Sequence, residues 1–249
     1  MAEKIMQFSL LENARSSLSH AILHLISENE PTSVDIKYGI LDVTHTVELL
    51  LKERLFRIHP AFIYSNVDKF PNREARTVDL ITAKKRLLKI AEIDLEKYDK
   101  VINEVKELRN KLQHFDVQYP LNKAKNIICR ILSFIFYFAE THLDIDLEQE
   151  YRADDTWKSL VNIYDFWAEH VSIVEKRQDD DQNVFCCECP KCGAITFDVF
   201  EGECALCEYA KITYCCCRCG QYNFDFDMEY ITKSIQANEN VCIFCAAGI

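Results

Sequence analysis

Between Cys189 and Cys245 the chain carries four Cys-x-x-Cys pairs: Cys189/Cys192, Cys204/Cys207, Cys216/Cys219 and Cys242/Cys245. Each spacing lets two thiolates converge on one tetrahedral ion while the backbone turns tightly. Gly193 and Gly220 follow two of the pairs and suit the positive φ that such a knuckle requires. The simplest assignment is sequential, with Cys189, Cys192, Cys204 and Cys207 on one ion and Cys216, Cys219, Cys242 and Cys245 on the other. A crossed pairing would use the same eight thiolates. Cys186, Cys187, Cys215 and Cys217 leave the register open, since Cys186 itself stands three residues before Cys189. Four sulfurs per ion and no open position call for two structural Zn2+ ions, with iron the competitor for an all-sulfur tetrahedron.

A second constellation is Arg109-Asn110-x3-His114. On a helix Asn110 and His114 lie one turn apart, and the Arg109 side chain is long enough to reach the same phosphate. Arginine grips phosphate in a bidentate way, histidine moves a proton near neutral pH, and asparagine orients either partner. Together they suffice for RNA cleavage without a metal. The ribose 2′-hydroxyl attacks the adjacent phosphate and leaves 2′,3′-cyclic phosphate and 5′-hydroxyl ends.

Other candidates have ordinary explanations. Glu48 and Lys52 are four apart and form a helical ion pair, although Glu48 could also hold a base or a partner arginine in support of the site. His20 and His24 have metal-ligand spacing on one helix, but without a third ligand nearby packing is the simpler use. Tyr222, Phe224, Phe226 and Tyr230 are read as packing residues, with base stacking the other use. No Gly-rich phosphate loop and no Gly-x-Ser-x-Gly elbow is present, which disfavours nucleotide hydrolases and serine hydrolases.

The elements that must position these residues follow from the apolar pattern. From Glu3 to about Lys176 apolar residues recur at helical spacing with almost no glycine, which predicts five or six helices. They cover about Lys4–Ser27, a segment capped by Thr32-Ser33-Val34-Asp35 and running to Ile58, a stretch begun by Thr77-Val78-Asp79 through Ala91, Tyr98–Phe115, Asn122–Leu143, and Glu148 to about Lys176. On the fourth, Val101, Val105, Leu108, Leu112 and Phe115 form the apolar side, opposite Arg109, Asn110 and His114. The charged segment Lys176–Asn183 lacks apolar anchors, so residues 1–178 read as a helical domain and 184–249 as a small module. There, runs such as Ile195-Thr196-Phe197 and Lys211–Tyr214 are β-like. The expected fold is mainly α, a helical bundle followed by a β-rich double zinc ribbon.

Composition bounds the partners. The 249 residues carry a formal charge of −11 and are 49 % hydrophobic, ample for a buried core. There are 25 basic and 31 acidic residues up to Asp181, and 4 against 9 beyond it. Neither part is a basic clamp, so nucleic acid must be met by a local patch or groove. Twelve of thirteen cysteines are clustered from Cys186 to Cys245, unlike a secreted disulfide protein, and Cys129 in the fifth helix is a small core hydrophobe. The opening residues lack signal-peptide character, and Ile127–Phe138 is too short to cross a bilayer and carries Arg130. The expectation is a cytoplasmic protein with no membrane partner.

Within a helical bundle, Arg109-Asn110-x3-His114 resembles the hallmark of the HEPN superfamily, Arg-x4-6-His with Asn commonly after Arg on a late helix. The resemblance takes in His45-Thr-Val-Glu48-Leu-Leu-Leu-Lys52-Glu-Arg-Leu and Asn66-Val-Asp68, over roughly residues 5 to 145. It implies a homodimeric, metal-independent endoribonuclease, often a toxin or antiphage defence effector, in which two copies of the motif meet across an RNA-binding cleft. Carried over, Arg109 stabilises the scissile phosphate, His114 is the acid/base or orienting group, and Asn110 fixes the geometry. Where one toxin subgroup has Tyr two residues after the motif histidine, this chain has Asp116. Other superfamily members are non-catalytic. A toxin of this kind would have a protein partner such as an antitoxin; the alternative is a dimerising adaptor whose zinc ribbons bind a protein or a nucleic acid.

Overall fold

In the computed structural model the described residues are 6–26, 30–72, 74–153, 155–181, 184–224, 228–230, 240–242 and 245. The chain divides into two compact units, Met1–Glu169 and His170–Ile249, and the division falls inside the helix Tyr164–Asp179.

The first unit is helical. Helix α1, Leu10–Leu25, begins later than the apolar pattern alone predicts because Ser9 and Glu12 form a capping box: the Ser9 hydroxyl accepts the Glu12 amide and the Glu12 carboxylate accepts the Ser9 amide. Two otherwise orphaned donors are satisfied there, so the helix starts at Leu10. Helix α2, Ser33–Ile58, has the same device at Thr32 and Asp35 and stops before Pro60. Asp79 caps α3, Leu80–Ala91. Helices α4, Asp99–His114, and α5, Leu121–Leu143, complete the framework. The stretch predicted as one long sixth helix is three pieces: α6 (Leu147–Arg152), α7 (Thr156–Val161) and α8 (Tyr164–Asp179). Asp155 and Asn162, residues that compete for backbone hydrogen bonds, flank α7.

Helix α2 is the hub, packed on α1, α3, α4 and α5. Its glycine marks a close approach to α5: a Cβ on Gly39 would stand 2.9 Å from Cδ1 of Ile128. Leu18, Ile22, Ile40, Leu51, Leu55 and Leu87 are fully buried around it. Phe136 adds an aromatic cluster, meeting Trp157 and Phe166 edge-on at ring-centre distances of 5.4 and 6.0 Å. No helix among the described residues is long and apolar enough to cross a membrane.

The second unit is a set of short antiparallel strands. β1 (Cys186–Cys187), β2 (Phe197–Asp198) and β3 (Glu203–Cys204) form one sheet in that order. β4 (Thr213–Cys215) pairs with β5 (Tyr222–Phe224), and β6 (Met228–Tyr230) with β7 (Asn240–Cys242). Within this unit the Glu175 carboxylate of α8 accepts the Ile195 amide, and the Gln178 side-chain amide donates to the Thr196 carbonyl. The whole is mainly α with a small C-terminal sheet region, as the apolar periodicity predicts.

Candidate functional site

The cysteines gather into two groups, Cys189, Cys192, Cys204 and Cys207, and Cys216, Cys219, Cys242 and Cys245. Sulfur-to-sulfur separations are 3.7 Å for Cys189–Cys207 and Cys192–Cys204, and 3.9 Å for Cys219–Cys242. A disulfide would need about 2.05 Å. Four thiolates about 2.3 Å from a shared ion stand about 3.8 Å apart along the tetrahedron's edges, which is the spacing found. Both groups are therefore metal sites in geometry as well as in composition.

Three of the knuckles, at Cys189/Cys192, Cys204/Cys207 and Cys216/Cys219, are closed by the backbone. The Gly193 amide donates to the Cys189 carbonyl and the Gly220 amide to the Cys216 carbonyl, with φ of 73° and 72° at the two glycines. The turn at Cys204/Cys207 is closed in the same way by Glu208, at φ 56°, so the left-handed position is required there even without glycine. The ligand sulfurs are also supported from outside: the Cys207 amide points to Cys204 Sγ at 3.4 Å, the Thr196 hydroxyl lies 3.2 Å from the same atom, and the Cys242 amide points to Cys216 Sγ. Cys186, Cys187, Cys215 and Cys217 belong to neither group; the first two lie on β1, and the last two are exposed. Burial pushes the Cys186 thiol up to about 11.

In the helical unit, α4 carries Arg109 and Asn110 half-buried and His114 exposed at its last turn. Val101, Ile102, Val105 and Leu108 face the core. Phe115, expected on that apolar side, is instead the C-cap, with extended backbone and 74 % exposure, because the helix ends at His114 and its period goes no further. Arg109 donates to the Asn110 side-chain oxygen at 3.1 Å. It lines a cleft of about 220 Å³ with Leu41, Asp42, Thr44, His45 and Glu48 of α2 and Gln113 of α4. Asn110 and His114 are not among the lining residues.

The cleft's charges are partly tied down. Glu48 accepts from Lys52 at 2.6 Å, and the ammonium of this residue, which is only 7 % exposed as a whole, also donates to the Thr77 hydroxyl. His45 Nδ1 sits 3.1 Å from the Ser17 hydroxyl, which orients its ring. Asp42, His45 and Gln113 were not singled out as site residues by spacing, because they reach the cleft only through the packing of α2 against α4. Of the four ribbon aromatics, Tyr222 meets Phe200 edge-on and Phe224 meets Phe197; Phe226 lies outside the described residues, as does the Tyr230 side chain.

No protein-family model matches this chain, and neither a curated protein nor a solved structure does. The functional reading therefore stands on the residues themselves.

Proposed function

We propose that the chain is a metal-independent endoribonuclease of the HEPN type, homodimeric through its helical unit, with structural zinc in its two four-cysteine sites. The observation that carries it is the placement of Arg109, Asn110 and His114 on the last two turns of α4, with Arg109 held by Asn110 at the edge of a polar cleft. In the proposed reaction a base removes the proton from the ribose 2′-hydroxyl, and the oxygen attacks phosphorus. The P–O5′ bond breaks, a proton passes to the leaving 5′-oxygen, and a 2′,3′-cyclic phosphate remains. His114 of each copy moves these protons, and Arg109 balances the charge that grows on the non-bridging oxygens. A second copy supplies the other histidine, which is why the exposed position of His114 suits a dimer cleft.

Zinc fits the ribbon sites because an all-thiolate tetrahedron is its common structural environment. Such thiolates persist in a reducing compartment, consistent with a cytoplasmic toxin or antiphage effector restrained by a protein such as an antitoxin. A second reading, a non-catalytic adaptor, draws on the ribbon unit's exposed aromatics, Phe185, Phe200 and Tyr222, which form a contiguous surface for a partner.

Incubating the full chain with total RNA in EDTA, beside Arg109→Ala and His114→Ala, separates the two. The nuclease reading expects cleavage by the wild type, roughly 100- to 10,000-fold slower cleavage by His114→Ala and roughly 100- to 1,000-fold slower cleavage by Arg109→Ala. Equal cleavage by all three rejects the assignment, and intact RNA with a co-purifying protein favours the adaptor.

A further inference from the structure

Spacing alone leaves His20 and His24 one ligand short of a metal site. Packing supplies the missing one. Asp42 of α2 comes against the same face of α1, and one ligand atom from each of His20, His24 and Asp42 lies within 4.8 Å of the other two. The imidazoles are one helical turn apart, with ring centres 4.5 Å from each other, and His20 Nδ1 is 2.6 Å from the Asp42 carboxylate.

His24 is held as a ligand would be. Its Nδ1 faces the Asp35 carboxylate at 3.1 Å, and Tyr38 stacks on its ring at 5.6 Å with planes 17° apart. A carboxylate on Nδ1 selects the tautomer with the proton there and leaves a lone pair on Nε2. That Nε2 is buried and, among the described residues, has no hydrogen-bond partner. An interior lone pair without a donor is unfavourable unless something accepts it, and a cation does. A simple His20–Asp42 ion pair between two helices would account for neither the carboxylate behind His24 nor its unsatisfied nitrogen.

We infer that His20, His24 and Asp42 bind a third metal ion, a divalent first-row transition ion, with Asp35 as the positioning residue behind His24. Two imidazole nitrogens and one carboxylate oxygen are borderline donors that select zinc, cobalt, iron(II) or nickel over magnesium or calcium. Three protein ligands leave coordination positions to water, and the His20 side chain, 57 % exposed, gives the ion a path in. The inference does not rest on the nuclease reading.

Cobalt(II) titration of the full chain distinguishes this site from the ribbons, because only cobalt–thiolate bonds give intense charge-transfer absorption. Charge transfer is expected to saturate at two ions per chain, while metal analysis after removal of free cobalt finds three. His24→Ala and the separately made His20→Gln, each checked for unchanged helical circular dichroism, retain the thiolate signal and bind two. Asp35→Asn, which preserves the capping oxygen, binds the third ion about 10- to 100-fold more weakly. Wild type that stops at two ions, a third ion that adds thiolate absorption, or three ions in both histidine variants overturns the site.

Discussion

Cys129 and the ribbon cysteines share a side chain and differ in everything around it. Cys129 is fully buried on α5, and burial pushes its thiol up to about 12. Because the thiolate is the reactive form, iodoacetamide at neutral pH is expected to modify exposed Cys215 and Cys217 and to leave Cys129 untouched until the protein is denatured, as peptide mapping by mass spectrometry reads directly. Early labelling of Cys129 would contradict the core assignment. At this scale the ribbon ligands were legible in the sequence, since Cys-x-x-Cys carries its own geometry in a few adjacent residues. Glu208 was not, because nothing in a glutamate advertises the left-handed backbone that its knuckle imposes. The third ligand beside His20 and His24 was hidden for another reason. Asp42 is remote in sequence and meets them only when α1 lies along α2.

Helix starts and stops repeat that contrast. Thr32 and Asp35 announce α2, and Asp79 announces α3, through side chains that bond their own backbone. Ser9 and Glu12 carry the same signal, but apolar residues upstream continue the helical period and masked it. The division of the expected sixth helix into α6, α7 and α8 is hidden in the sequence because Trp157, Leu160 and Phe166 keep an apolar spacing through the breaks. Gly39 is the element-scale test. An isolated glycine within a helix costs about 1 kcal/mol relative to alanine, and here the missing side chain leaves room for Ile128. Gly39→Val places branched carbons against Ile128 Cδ1 and should lower unfolding free energy by about 1–3 kcal/mol in a urea titration. An unchanged or raised midpoint would mean that α2 and α5 are not closely apposed there.

The two units of the whole molecule are stabilised by different means. The helical unit buries large apolar side chains along α2 and α5, whereas the ribbon unit has strands of two or three residues and a small core in which cysteines of the two four-sulfur groups stand beside Phe197, Leu206 and Val241, so metal–thiolate bonds are expected to supply much of its stability. Displacing the metal with a mercurial thiol reagent is therefore expected to release about two zinc ions per chain, to abolish the ribbon fold, and to leave far-ultraviolet helical circular dichroism largely intact. Loss of the helical signal in the same step would show that the metal holds both units. The acidic balance of the chain also bears on the proposed RNA substrate: with a formal charge of −11 the global field opposes phosphate, so under that proposal RNA would have to be held by the cleft through few contacts. The fold class was legible because periodicity and cysteine spacing are local properties. The cleft between α2 and α4 was not, since it exists only once distant segments pack.

Cleavage of a defined RNA oligonucleotide, beside its fully 2′-O-methylated copy, tests the nuclease proposal most directly because the proposed nucleophile is the ribose hydroxyl itself. With a mild chelator present that leaves thiolate-held ions in place, the RNA should be cut to products ending in 2′,3′-cyclic phosphate and 5′-hydroxyl, the methylated strand should stay whole, and His114→Ala should leave both strands whole over the same time. Products ending in 3′-hydroxyl, scission of the methylated strand, or an RNA left uncut by the wild type would contradict the role given to Arg109, Asn110 and His114.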